Sequence, residues 1–319
     1  MFRVVCATVV AICIAAPAHA AGRLFVVSKA KKALQVFDAE TGKMEFEIAG
    51  HGEPHEVAVT TDGRFAFIGD AVGYKNTVTV VDVEKRAVSE EINFQPHLRA
   101  HGLAVTKDGT KLYATSAPTR AVVELTSSPL KIARTFKFFA DTVENIALTP
   151  DESLLFASSS FDGNIQVIDL AKGEFERSII SGAGAEGLNV TPDGTELWVS
   201  NRVDQTVAVI DIAKRKRVAT LPCVGNPMHV YFTSDGSEAV VTVAVGDRLA
   251  IFNRAKRTET TRFEVGDFPI EMTWGEAGGP AFVACAVGND IAVVDIAARK
   301  VLRRIPCGGD PEGIAYAPK

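Results

Sequence analysis

The chain has 319 residues, of which 47% are hydrophobic and 23% are charged. This balance is typical of a globular protein, and the length is sufficient for one large all-β domain. The formal net charge is −5, so the composition gives no sign of a protein that binds nucleic acid or another polyanion.

The first 20 residues are predicted to be a signal peptide. Arg3 gives a basic start, residues 4–16 form an apolar stretch, and Ala18-His19-Ala20 has the small residues of a cleavage site. The apolar stretch is shorter than the ~20 residues that a spanning helix needs. The sequence therefore predicts export to the periplasm or the medium, a mature chain of residues 21–319, and no transmembrane segment after cleavage.

One short pattern recurs along the mature chain. An apolar strand runs into a turn with Asp, as in "VAVTTDG", which ends at Gly63. An independent marker, an apolar strand that ends in Asp, Glu or Asn, recurs with the same period from Asp38 to Asp295. Together they predict a repeat of about 42 residues that occurs seven times. The turn aspartates are Asp62, Asp108, Asp151, Asp193 and Asp235, at spacings of 46, 43, 42 and 42.

Each repeat is predicted to contain four short strands, and the fifth repeat shows them well. "EGLNVT" is the first strand, and Pro192-Asp193-Gly194 forms a hairpin turn in which glycine tolerates positive φ. "ELWVSN", "TVAVID" and "RVATLP" are the other three strands and contain many β-branched residues. Four strands repeated seven times predict an all-β fold, a seven-bladed β-propeller with four antiparallel strands per blade.

The two ends of the mature chain predict how the ring closes. The chain begins with a second strand, "RLFVVS", and finishes with a first strand, "GIAYAP". Three N-terminal strands and one C-terminal strand would therefore complete one blade, which we number blade 1. Closure of this kind removes open strand edges. Residues 21–319 are thus predicted to form a single propeller domain.

The repeats resemble the YVTN-type repeat family. The resemblance is carried by "KLYATSAPTRAVVEL", "ELWVSNRVDQTVAVIDIAKRKRVATLP" and "AFVACAVGNDIAVVDIAARKVLRRIP", and it covers essentially the whole mature chain. It implies a seven-bladed propeller that is exported or associated with the cell surface. Similar propellers include lactonase-like proteins and the haem-binding propeller of cytochrome nitrite reductase. A repeat of this kind specifies a fold more closely than a function.

Every blade is predicted to place a His or Glu at the mouth of the central channel. The first strand of a blade is innermost in this fold, and its start lies six or seven residues before the turn. Glu56, His229 and Glu271 come one residue later than the others, so strand alternation would turn the side chains of His229 and Glu271 the other way. The predicted ring consists of His55, Glu56, His101, Glu144, Glu186, His229, Glu271 and Glu312.

This ring predicts a ligand site, with a divalent metal ion as one candidate occupant. Crowded carboxylates repel each other, and a bound cation or protonated histidines would relieve the repulsion. Histidine and glutamate suit zinc or another first-row metal, whereas carboxylates with water suit calcium or magnesium. The predicted metal ligands are His55, His101, Glu144 and Glu186. Solvation in a water-filled channel would also explain each of these polar residues taken singly.

The loops between second and third strands are expected on the same face. Arg202 and Lys75 are the candidates there for holding a carboxylate or a phosphate, although solvated loop tips are the simpler explanation for most charges in these loops. The sequence leaves the redox state of Cys223, Cys285 and Cys307 open, but Cys223 and Cys307 are two blades apart and are not expected to pair.

Two functions stay open at this point, and the enzyme question is undecided. The sequence has no Gly-rich phosphate loop, GxSxG elbow or CxxCH haem motif. This favours a monomeric binding or scaffold module that takes a small molecule or a protein partner on the channel face. The His/Glu ring favours a metal-dependent lactonase or lyase instead. Haem or another cofactor bound through His55 or His101 has no further motif in its support.

The predicted cleavage can be tested on the exported protein. Intact-mass measurement of protein recovered from the periplasm or medium should give a chain that begins at Ala21. Replacing Ala18 and Ala20 by Arg removes the small residues of the site and should leave the precursor uncleaved. An exported chain that retains residues 1–20 would contradict the prediction.

Overall fold

The structure is a computed structural model that describes residues 22–72, 75–138 and 142–319. These residues form 28 strands in seven four-stranded antiparallel sheets. The predicted seven-bladed propeller is therefore confirmed. The predicted signal peptide, residues 1–20, lies outside the described residues. No helix in the described part of the chain is long and apolar enough to cross a membrane.

The strands follow one another in chain order around the ring. They are β1 (Gly22–Ser28), β2 (Ala33–Asp38), β3 (Met44–Ala49), β4 (Glu53–Val59), β5 (Phe65–Val72), β6 (Thr77–Asp82), β7 (Ala87–Asn93), β8 (Ala100–Val105), β9 (Lys111–Ser116), β10 (Ala121–Ser127), β11 (Leu130–Lys137), β12 (Ile146–Leu148), β13 (Leu154–Ser158), β14 (Asn164–Asp169), β15 (Glu174–Ile180), β16 (Ala185–Val190), β17 (Glu196–Asn201), β18 (Thr206–Asp211), β19 (Lys216–Pro222), β20 (Pro227–Phe232), β21 (Glu238–Val243), β22 (Arg248–Asn253), β23 (Thr258–Glu264), β24 (Pro269–Trp274), β25 (Ala281–Cys285), β26 (Asp290–Asp295), β27 (Lys300–Pro306) and β28 (Pro311–Pro318).

Blade 1 closes the ring in the predicted way. Its strand order is β28-β1-β2-β3, and each later blade contains four consecutive strands, from β4–β7 in blade 2 to β24–β27 in blade 7. β28 pairs antiparallel with β1, with Tyr316 opposite Leu24 and Ile314 opposite Val26. The N-terminal and C-terminal strands therefore share one sheet, and β1, the second strand of that blade, is paired along both edges.

The hydrophobic core lies between the blades. Second and third strands are buried on both faces because each blade packs against a neighbour on either side; β18, for example, buries its four central residues. Between blades 5 and 6, Trp198 makes edge contacts with Phe232 and Phe252 at ring-centroid distances of 5.8 and 6.4 Å. Fourth strands such as β27 alternate between exposed residues and half-buried or buried ones, because they form the outer edge of the disc.

The turn aspartates that mark the repeat stabilise the hairpin between first and second strands. In each case a threonine hydroxyl two residues earlier donates to the Asp carboxylate, which also accepts a backbone N–H two residues later. These bonds satisfy the turn locally. The pairs are Thr60–Asp62, Thr106–Asp108, Thr149–Asp151, Thr191–Asp193 and Thr233–Asp235.

The three cysteines of the described chain, Cys223, Cys285 and Cys307, are buried and free. Burial raises the pKa of each thiol to about 12. Each thiol is therefore neutral at physiological pH and behaves as a small apolar side chain.

Removing residues 310–319 is expected to destabilise the whole domain, because it deletes β28 and uncovers the fully buried Leu24 and Val26. Loss of the buried Ile314 side chain alone should lower the free energy of unfolding by about 2–5 kcal/mol. For a domain of this size the melting temperature should then fall by roughly 5–20 °C, which thermal unfolding followed by circular dichroism would measure.

Removing only Lys319 is the matched control for this truncation. The Lys319 ammonium pairs with Asp38 and Glu45 at the surface, and exposed ion pairs contribute at most about 1 kcal/mol. The control should therefore melt close to the wild type. An equally small effect of the ten-residue truncation would show that the ring does not depend on β28.

Candidate metal and ligand site at the hub

A cavity of about 280 Å³ opens where the first strands begin around the propeller axis. It is lined by seven members of the predicted ring and by Arg202. Lys29 and Asn145 add polar groups to the wall, and Met228, Phe268 and Ile270 add apolar ones. The predicted residues that line the cavity are His55, Glu56, His101, Glu186, His229, Glu271, Glu312 and Arg202.

Two predicted site residues are not part of the cavity wall. The Glu144 carboxylate lies beside it, 4.0 Å from His101 Nε2, and accepts a hydrogen bond from Ser160 Oγ at 3.3 Å. The Lys75 ammonium lies 3.4 Å from the Glu91 carboxylate on the outermost strand of blade 2. Lys75 is therefore held at the rim of the disc, away from the channel.

The expected orientation of His229 and Glu271 is wrong, since both line the cavity with the others. The cause is a break in strand alternation. In the described residues, six of the seven first strands have a register shift at their start, between Ala185 and Leu188 for instance. A β-bulge places two successive residues opposite one and re-aims side chains. Side chains at both positions, that of His55 and the next one along the strand, that of Glu56, therefore face the axis.

Glycines allow the neighbouring first strands to approach at this point. A Cβ on Gly187 would lie 2.6 Å from Cγ of His229, and one on Gly313 would lie 2.8 Å from Cα of Glu56. A larger residue at either position would push the next blade outward. These glycines could have indicated the bulges from the sequence. They occupy the strand position that Glu56, His229 and Glu271 occupy in other blades.

His55 is oriented by a carboxylate. Its Nδ1 lies 2.8 Å from Glu312 Oε2, and the Lys29 ammonium contacts the other carboxylate oxygen. Burial raises the pKa of Glu312, but hydrogen bonds and positive charge from His55 and Lys29 outweigh that effect and lower it. Glu312 is therefore ionised, and it fixes a proton on His55 Nδ1. Once His55 gives up its Nε2 proton, the lone pair on that nitrogen is available to a ligand.

The neighbouring imidazoles are neutral. The ring of His101 lies 4.2 Å from that of His55 between centroids. Burial, followed by repulsion from the His55 charge, lowers the pKa of His101 well below its usual value, and burial lowers that of His229 to about 4. His101 Nδ1 is buried without a hydrogen-bond partner in the described structure. Neutral imidazole is the form that binds metals.

Two carboxyl groups of the cavity wall, Glu56 from blade 2 and Glu271 from blade 7, are hydrogen-bonded to each other. Burial raises the pKa of both Glu56 and Glu271, and the negative charge of Glu271 raises that of Glu56 further. Glu271 also accepts the backbone N–H of Ile314 at 3.1 Å and lies 3.7 Å from His229 Nε2. The pair therefore shares a proton at neutral pH, because two adjacent buried carboxylates repel each other.

Among the described residues, two groups of side chains are compact enough to hold a metal ion, with all ligand atoms within 4.8 Å of one another. The first is His55, Glu56 and His101, and the second is Glu56, His229 and Glu271. Of the four ligands predicted from the sequence, only His55 and His101 belong to such a group. Glu144 and Glu186 do not, and Glu56 takes their place because the bulge turns it inward.

The chain belongs to the YNCE-like β-propeller family, whose model matches residues 103–280, more than half of the chain. No curated protein matches it. A solved structure described as a functionally unknown protein from Desulfotomaculum acetoxidans is 16% identical, with a TM-score of 0.80, over 93% of this chain and 99% of that one. Hydrazine synthase from Kuenenia stuttgartiensis is 20% identical, with a TM-score of 0.77, over 86% and 92%. At these identities the likeness shows the fold alone.

The buried charges predict opposite pH effects for two variants in the presence of a chelator. Burial raises the pKa of Glu186 from an ordinary 4.5 to about 7. Between pH 4.5 and about 7 the unfolded chain loses this proton and the folded chain keeps it, so the stability of the fold decreases as pH rises. The pKa of His229 falls from 6.5 to about 4, so stability is lost as pH falls through that range.

Glu186→Gln should therefore gain stability over the wild type as pH rises from about 4.5 to about 7, and His229→Gln as pH falls from 6.5 to about 4. Each difference is at most ~3 kcal/mol. Thermal unfolding of the two variants at several pH values measures both slopes, and curves that stay parallel to the wild type would refute the assigned protonation states.

Proposed function

We propose that the protein is an exported binding module of the YVTN-repeat type that holds a divalent transition-metal ion in the hub cavity. The observation that carries this proposal is the compact group of His55, Glu56 and His101. The signal-like residues 1–20 and the repeat resemblance support export. The β-propeller fold, which places side chains from separate repeats around one axis, suits a binding or scaffold role.

The chemistry of the three side chains favours a first-row metal. Two imidazoles and one carboxylate are ligands of zinc and its neighbours, whereas calcium and magnesium prefer oxygen ligands alone. The carboxylate of Glu312 behind His55 is the arrangement found behind metal-binding histidines in general. The second group is less suited to a first ion, because it has only one imidazole and both of its carboxyl groups belong to the pair that shares a proton. The first group has two imidazoles and one of these carboxyls.

A metal held by three protein ligands keeps a coordination position for another molecule. Lys29 and Arg202 add positive charge to the cavity wall. The cavity, at about 280 Å³, is slightly smaller than the ~300–1,000 Å³ typical of small-molecule sites, which favours an ion with a small anionic ligand over a haem. A carboxylate or phosphate group is therefore the ligand class that we propose.

One observation favours a second function, a metal-dependent lactonase or lyase. Glu186 lines the same cavity, and burial raises its pKa to about 7, which is the value that suits a general base near neutral pH. In lactone hydrolysis, Glu186 would take a proton from water as the water oxygen bonds to the carbonyl carbon. It would return that proton to the ring oxygen as the acyl C–O bond breaks. A metal held by His55, Glu56 and His101 would supply the Lewis acid.

Metal binding is tested with zinc and cobalt ions alone, using calorimetry and elemental analysis of the purified mature chain. One ion per chain is expected. The double variant His55→Ala/His101→Ala and the single variant Glu56→Gln should each weaken binding by about 100-fold or more. Glu144→Gln is the matched control and should stay within about threefold, because Glu144 lies outside both compact groups.

Two results would overturn this proposal. A wild-type chain that binds neither ion and whose melting temperature neither ion raises has no metal site. A Glu144→Gln variant that loses as much affinity as Glu56→Gln would show that the site is built differently.

The catalytic candidate has a separate test. Metal-loaded protein is assayed with a panel of lactones, and Glu186→Gln should retain the metal while losing turnover by about 100-fold or more. Turnover that is equal in the two proteins rules out Glu186 as the base. No turnover by metal-loaded wild type leaves binding as the function.

A further inference from the structure

The most exposed large hydrophobic side chains of the described residues all lie on one face of the disc. Six of them have exposed fractions of 62–81%. Some lie in loops that connect second to third strands, and the others lie at the end of a fourth strand or in the loop after it. All of these positions are on the face of the disc where the hub cavity opens. They are Phe161, Ile180, Val203, Val224, Val245 and Val287.

Four of these side chains occupy equivalent positions in consecutive blades. Phe161, Val203, Val245 and Val287 are at the tips of the loops between second and third strands of blades 4, 5, 6 and 7. We name these four tips, with Ile180 and Val224 between them, the apolar sector. In blades 1 to 3 the same loops carry basic residues instead, namely Lys29, Lys31, Lys32, Lys75 and Arg120.

Backbone hydrogen bonds hold the tips of the apolar sector in place. In blades 5, 6 and 7 each loop makes two bonds to the segment that leads into its own first strand, with N···O distances of 2.8–3.2 Å. The Asp204 and Asp247 carboxylates add bonds to the N–H groups of Ala183 and Phe268. The exposed valines are therefore presented on fixed loops, which lowers the entropic cost of binding a partner.

Exposed carboxylates surround the apolar sector. Asp204 and Asp267 are exposed in its loops, and the Glu264 side chain at the end of β23 is 81% exposed. Three arginines in the same region are each close to a carboxylate already: Arg248 to Glu264, Arg262 to Glu259 and Arg304 to Asp290. Arg202 lies 3.6 Å from Glu186, and Arg217 donates to the Ser181 carbonyl beside Ile180. The carboxylates outside the first three pairs, Asp204, Asp247 and Asp267, outnumber these two arginines. The charge that would complement this surface is therefore positive.

We propose that the apolar sector is a docking surface for a partner protein whose contact surface carries apolar side chains flanked by lysine or arginine. Six exposed apolar side chains grouped on one face are typical of an interaction site, whereas scattered ones are not. This inference is independent of the proposed metal site, although a partner docked there would lie next to the mouth of the hub cavity.

Two other occupants fit the surface less well. An anionic membrane would be repelled by the carboxylates beside the tips, and the tips contain no Trp or Tyr, the residues that membrane interfaces favour. In a two-fold dimer of this chain, apolar sectors that face each other would also place Asp204 and Asp267 near their copies. If the apolar sector of one copy faced the basic loops of blades 1 to 3 of another copy, its valines would lie against lysines.

The test uses a displayed library of random peptides as the probe, selected on the intact mature protein. The apolar sector is altered by Val203→Ser/Val245→Ser/Val287→Ser. The matched control, Val88→Ser/Val218→Ser/Leu302→Ser, alters three exposed side chains on the outermost strands. Selected peptides should combine apolar with basic residues, and their affinity should fall at least ~10-fold in the first triple variant and less than ~2-fold in the control.

Folding of both variants is checked by circular dichroism and melting temperature, and each should match the wild type because all six side chains are exposed. The proposal is overturned if selection yields no peptide whose binding depends on the three loop valines. It is also overturned if the valine variant instead abolishes binding to phosphatidylglycerol vesicles, which identifies a membrane surface. Abolished self-association in light scattering would identify a second copy as the occupant.

Discussion

The antiparallel pairing between the last strand and the first holds the ring closed. A propeller blade cannot bury its two faces alone, so each of the seven depends on both neighbours, and blade 1 exists only when residues 311–318 join residues 22–49. The same closure brings Glu312 to His55 and Gly313 to the backbone of Glu56. The hub cavity is thus a consequence of the way in which the two ends of the chain meet.

The blades could be predicted from the sequence because their markers are local. A Thr-x-Asp turn makes its bonds within a few residues, and four short β-rich segments between such turns leave little choice of structure. The residues at the hub were found for the same reason, by counting back from the turn. Lys75 was misplaced because its loop position says nothing about its partner, Glu91 on an outer strand.

The orientation of the hub side chains could not be predicted in this way. A bulge changes the face of every residue before it, and whether one forms depends on how closely the next blade approaches. That contact is non-local. The hydrogen bond between Glu56 and Glu271 has the same origin, since it joins residues of blades 2 and 7, the two neighbours of blade 1. Because of the bulge and this hydrogen bond, Glu56 belongs to both compact groups of the site.

The contact between His55 and Glu312 also determines when the hub site can form during synthesis of the chain. His55 emerges early in synthesis and Glu312 near the end, so the hub is incomplete until almost the whole polypeptide is available. A chain that crosses a membrane unfolded would finish this site only on the far side. Under the proposed export and metal binding, the ion would come from that compartment and not from the one where the chain was made.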